Sequence, residues 1–186
     1  MEEPKLPTRR ALLVSCGAAT VLAASTSACQ QSPDTDRRLV FGSLQQAMQE
    51  VDSLAAAKTL KSAAVWSFAQ TLSHCAQSIE FSMSGFPQPK SALFQHTVGA
   101  MALQVFAWRG RMTHDLSEPI PGAPALEAGG ATEQALTRLR LAVQNFQNFT
   151  QPLRPHFAYG ELEHGAYAQA HAMHLANHLS GFSIQA

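Results

Sequence analysis

From Asp36 onward the apolar residues of this chain recur every three to four positions, and no alternation of apolar and polar residues lasts longer than a few positions. A chain patterned in this way buries its apolar stripes by packing helix on helix, so the expected fold class is all-α. A length of 186 residues, 46% of them apolar, supplies one core and is short for two ordinary domains.

Local signals mark five helices. Ser43 followed by Gln46 reads as a capping box opening a helix to about Lys58, with Leu44, Ala47, Met48, Val51, Leu54 and Ala55 on one face. Ser67 and Gln70 open a second, which Gly85 stops near Ser84. Pro87 and Pro89 separate it from a third, about Ser91 to Arg109, closed by Gly110. Thr132 is the expected N-cap of a fourth, Glu133 to about Thr150, which buries Leu136, Leu139, Val143, Phe146 and Phe149. A last helix spans about Leu162 to Ser180. The Pro- and Gly-rich stretch from about Met112 to Gly130 is long for a connection, and reads either as a lid over a site at the bundle end or as an ordered crossover.

Residues 1–35 read as a signal peptide and tether, leaving 36–186 as the folded domain. Arg9 and Arg10 precede an uncharged, Ala/Ser-rich run that is short for a membrane span, in the manner of a twin-arginine export signal. The expected destination is the periplasm or cell envelope. Thr26-Ser27-Ala28-Cys29 offers a site for lipidation at Cys29, with cleavage and release as the alternative, and a lipid there is the only membrane contact expected. Thirteen basic residues balance thirteen acidic ones, which argues against a nucleic-acid partner. With Cys16 inside the signal, only Cys29 and Cys75 would remain, too few for a disulfide framework. Cys75 is expected to be a small core residue.

Five of the eight histidines fall between His156 and His178. On the last helix His164, Tyr167, His171, His174 and His178 project as one stripe beside the apolar stripe of Ala168, Ala172, Leu175, Leu179 and Phe182. His174 and His178, at i and i+4, can converge on one divalent ion. The glutamate of metalloproteases is absent, since position 175 is Leu. His74 of the second helix is the best-placed third imidazole, with Gln70 or Gln77 to orient its ring, yet it lies nearly opposite the Phe68, Leu72, Ile79 and Met83 stripe. Periodicity alone would expose it, so it becomes a ligand only if that side faces a polar interior. His96 and His114 read as surface or capping histidines, and Arg154, His156 and Tyr159 as a solvated loop.

Trp66-Ser67 with a histidine eight residues after the tryptophan, followed by H-x-x-x-H near the C-terminus, resembles the DinB/YfiT-like superfamily. The runs Trp66 to Glu80 and Gly85 to Lys90 resemble an uncharacterised bacterial family (a domain of unknown function) within it. The resemblance implies a DinB-like four-helix bundle, here with an additional helix and a long loop. It also implies a three-histidine metal site at His74, His174 and His178, with His171 as an alternative ligand. Imidazole ligands admit Zn, the default, or Ni, Fe and Mn.

The function expected is therefore that of an exported metal-dependent enzyme, a transferase or hydrolase of unknown reaction, acting on an unidentified small molecule. A non-catalytic metal- or ligand-binding module of the envelope is the alternative, and a homodimer is the assembly considered. The catalytic residues are not identifiable from sequence, because no carboxylate sits on the histidine faces.

Overall fold

The computed structural model describes residues 36–185; Arg9, Arg10, Cys29 and the rest of the expected signal and tether lie outside them. The described chain is mostly helical. Its elements are α1 (Leu44–Ala56), β1 (Leu60–Ser62), α2 (Phe68–Ser84), α3 (Ala92–Phe94), a π-helical turn (Gln95–Gly99), α4 (Ala100–Arg109), α5 (Thr132–Gln147), α6 (His164–Leu179) and β2 (Phe182–Ile184).

The helix starts follow the capping chemistry, with two differences. At α2 the box is complete: the Gln70 backbone N–H donates to Ser67 Oγ at 3.2 Å and the Ser67 N–H donates to Gln70 Oε1 at 3.1 Å. At α1, Ser43 caps the N–H of Gln46, but Gln46 reaches one residue further back, accepting from Gly42 N at 2.7 Å. Helix α5 has Ala131 at its N-cap with no side-chain bond, and Thr132 is already helical.

Helices α1, α5, α2 and α6 pack in a ring, each against two others. Leu44, Val51, Leu54, Leu72, Ile79, Leu139, Phe146, Leu175 and Leu179 meet in one core, each large side chain contributing about 1.5–3 kcal/mol of burial. Cys75 lies in this core, 1% exposed, as expected.

The short antiparallel ribbon of β1 and β2 corrects a purely helical expectation, pairing Leu60 with Ile184 and Ser62 with Phe182. Six residues make so little of it that periodicity has nothing to register. The third expected helix is likewise interrupted. A Cβ on Gly99 would lie 1.8 Å from the carbonyl oxygen of Ala158, so the residue without a side chain admits the 156–160 connection against the π-turn. Gln95 Nε2 donates to the carbonyls of His156 and Phe157, and Lys90 N donates to the latter, tying that connection down. On the outer side of α3 and α4, Leu93, Met101, Val105 and Trp108 are exposed.

Candidate metal centre

The polar side of α2 is buried as deeply as its apolar side: Thr71, His74, Gln77 and Ser78 are buried together with Leu72 and Ile79. α6 is buried nearly all round, so its histidine stripe faces the protein interior instead of skirting the core. The condition that His74 had to meet, a polar interior, is satisfied where these two surfaces meet.

His74, His174 and His178 each offer a ring nitrogen, and the three nitrogens lie within 4.8 Å of one another, close enough to hold one metal ion. The residues are 2%, 9% and 3% exposed. Ring centroids are separated by 5.0 Å (His74–His174), 4.7 Å (His74–His178) and 4.7 Å (His174–His178). His74 Nε2 faces His174 Nε2 at 3.2 Å. The buried His178 Nε2 has no hydrogen-bond partner, which would cost about 1–3 kcal/mol if nothing ever satisfied it.

Desolvation lowers the pKa of all three, to about 3 for His74 and well below the usual value for His174 and His178, and repulsion between neighbouring rings adds to it. The imidazoles are therefore neutral at physiological pH, with lone pairs free to coordinate. The donor set suits a divalent transition ion.

The support around these rings differs from expectation. Gln70 is committed to the α2 cap, and Gln77 Nε2 donates to Pro124 O at 3.0 Å, fastening the long loop; neither orients His74. The buried His74 Nδ1 has no partner. Its ring is held by Trp66, 4.7 Å away, whose indole also stacks on His178 at 5.7 Å with planes 5° apart. Trp66 belonged to the recognised motif, but nothing in its spacing assigned it this role.

His171 stands apart from the cluster, buried against Phe146 edge-on at 5.1 Å and stacked with Tyr167 at 5.4 Å. Its pKa is lowered to about 3 by burial first and then by His164. His164, exposed at the start of α6, approaches the Phe146 carbonyl with Nε2 at 3.0 Å and closes the C-terminal turn of α5.

The 112–130 stretch runs over the histidines. His114, Glu118, Pro119, Ile120 and Pro121 line a cavity of about 300 Å³ together with His74, His174, Ser78, Lys90, His156 and Tyr159. A larger concavity of about 670 Å³, between Phe149 and His164, contains no such cluster.

Three expectations change here. His114, read as a surface or capping residue, is exposed as expected, but it also packs its ring against His174 and His178. His156 and Tyr159, read as a solvated loop, form a cavity wall, with rings stacked 4.3 Å apart. Arg154 is exposed as expected, but its backbone is built in, N–H to Ser82 O at 2.8 Å and carbonyl accepting from Tyr167 Oη at 2.7 Å. His156 Nδ1 accepts from the N–H groups of Ala158 and Tyr159, so the neutral ring carries its proton on Nε2. Burial, then His171, lowers the His156 pKa to about 3, and burial raises that of Tyr159 to about 12. The signal that could have found His114 was the long Pro/Gly-rich loop, whose lid reading already contained it; no such signal marked His156 or Tyr159.

A family model described as "protein of unknown function (DUF1569)" matches residues 34–184. The chain belongs to this family. No curated protein and no solved structure matches it. Membership of DUF1569 thus extends over nearly the whole domain, the α2 and α6 histidines and the loop above them included.

Proposed function

We propose that His74, His174 and His178 bind one divalent transition metal, zinc by default, in an exported metal-dependent enzyme acting on a small molecule. The observation that carries this reading is the convergence of three buried, neutral imidazoles from two helices. A bound ion would supply Lewis-acid activation of a water, oxygen or thiol at its open position. The side chains around it have separable roles: Trp66 fixes two of the rings, Lys90 brings a cation to the cavity wall, and His156 and Tyr159 offer donor groups to a polar substrate. The ring of α1, α5, α2 and α6 and the two-helix origin of the imidazoles support reading the fold as a DinB-like bundle with an added helix.

Elemental analysis of protein purified without a histidine tag tests the site. One transition metal per chain, lost in His74→Ala and His174→Ala, is the expected result; no metal in the wild type, with no uptake on addition, would remove the proposal. Metal retained without turnover on ester and thiol substrate panels would instead favour the binding module. Export rests on residues 1–35, and exchanging Arg9 and Arg10 together for lysine should retain the unprocessed chain in the cytoplasm. Cys29→Ala should shift the protein from the detergent to the aqueous phase if Cys29 carries a lipid.

A further inference from the structure

One ring beyond the three clustered imidazoles packs beside two of them, although it is outside the set whose ring nitrogens all lie within 4.8 Å of one another. The His114 centroid lies 5.2 Å from that of His174 and 5.0 Å from that of His178, against 4.7 to 5.0 Å among the three themselves. Its Nδ1 sits 2.8 Å from the carbonyl oxygen of Asp115. A carbonyl only accepts, so Nδ1 carries the proton and Nε2 the lone pair. Metal-ligating histidines are commonly oriented by this bond, with one nitrogen donating to a carbonyl and the other left to the ion.

The backbone that carries His114 is fastened on both sides and free between. Met112 is buried against Ala170 and Met173, and Ile120 is buried at the cavity. Thr113, His114, Asp115, Ser117, Glu118 and Pro119 are exposed. Within that span the Asp115 carboxylate accepts from Ser117 N and Oγ at 2.8 and 2.6 Å, a turn closed on itself. Only Leu116 of the span is half-buried, so lifting the span would expose little apolar surface.

We propose that His114 is a fourth metal ligand, delivered by the loop. With His114 coordinated, the site is closed by four imidazoles. When the 113–119 span lifts, three remain and the vacated position faces the cavity lined by Lys90, Glu118, His156 and Tyr159. A small polar molecule entering that cavity would exchange with an imidazole and not with water, and no bond other than coordination is made or broken. This inference rests on the three-histidine metal reading above.

Cobalt(II) bound to the full chain tests it, because the visible absorption of that ion reports coordination number. The wild type should show the strong bands of a four-coordinate ion. His114→Ala and His114→Gln should shift the band positions, because water takes the vacated place and keeps the ion four-coordinate, and should reduce cobalt affinity by at least about tenfold, with far-ultraviolet dichroism unchanged. Free imidazole should restore the wild-type band positions in His114→Ala. Bound cobalt should also slow cleavage before Asp115 by an aspartate-specific endoprotease in the wild type and not in the variants. If both variants bind cobalt with the wild-type spectrum and affinity while His174→Ala does not bind it, His114 is not a ligand and the three-histidine site stands. If the wild type binds no cobalt, both readings fall.

Discussion

His74 and His174, a hundred residues apart in the chain, meet with their Nε2 atoms 3.2 Å apart. Without a metal, one ring must donate to the other, since two lone pairs at that distance repel. A cation between the rings turns the same approach into two favourable contacts, and links α2 to α6 directly.

Metal should therefore stabilise the fold. At a free concentration one hundred times the dissociation constant, binding contributes about 2.7 kcal/mol, which for a chain of this size raises Tm by about 5–10 °C. Differential scanning fluorimetry with and without zinc measures this shift, and His174→Ala should abolish it; an equal shift in that variant would mean that zinc binds elsewhere.

Acid should unfold the metal-free protein early. His156 and His171 have pKa values near 3 in the folded chain, against about 6.5 when unfolded, so below pH 6.5 the unfolded state binds more protons. Each such group contributes fully above pH 6.5, and its contribution falls by about 1.4 kcal/mol per pH unit as pH drops from about 6 toward 3. Urea midpoints taken at pH 7.5, 6 and 5 should decline steeply. His171→Phe, which keeps the ring between Phe146 and Tyr167 but cannot be protonated, should make the decline shallower; an unchanged slope would exclude His171 as a source of acid sensitivity.

Gly99→Ala should cost about 1–3 kcal/mol, the usual range for forcing atoms into packed space, because the new Cβ would fall on the Ala158 carbonyl. The added carbon displaces the connection that carries His156 and Tyr159. A urea melt reads the stability loss, and cavity disturbance should appear as altered tyrosine fluorescence. A variant as stable as wild type would show that the contact yields easily.

Tyr167→Phe removes the 2.7 Å bond to Arg154 O and strands that carbonyl. The expected loss is about 1–2 kcal/mol by chemical denaturation, with zinc binding unaffected because Tyr167 stands beside His171 and away from the cluster. Weakened zinc binding would instead tie the Tyr167 anchor to the metal site.

Most of the helices and the α2 cap were legible because each rests on a local rule that the chain obeys: Ser67 with Gln70, Gly85 and Gly110 at helix ends, Leu136 to Phe146 on one face. His174 and His178 were legible as a pair by spacing. His74 was not, because helical periodicity separates apolar from polar faces and takes polar to mean exposed; on α2 both faces are inside. The fates of Gln70 and Gln77 depended on competing partners, a cap and the Pro124 carbonyl, whose nearness no pattern on α2 encodes. His114 and His156 reach the cavity through loop backbone, where side-chain direction follows turns and anchors instead of a repeat.

The ribbon of β1 and β2 acts on the histidine ladder in a way that its six residues conceal. α6 offers imidazoles at 171, 174 and 178, so sliding it by one turn, about 5.4 Å, past α2 would present a different pair to His74. Pairing of Ser62 with Phe182, together with the bonds Ala63 N to Gly181 O and Gln185 N to Thr59 O, joins the end of α6 to the segment leading into Trp66 and α2. The ribbon is thus a stop on a sliding scale: it selects which rung of the ladder faces His74, and leaves His171 among the aromatic rings.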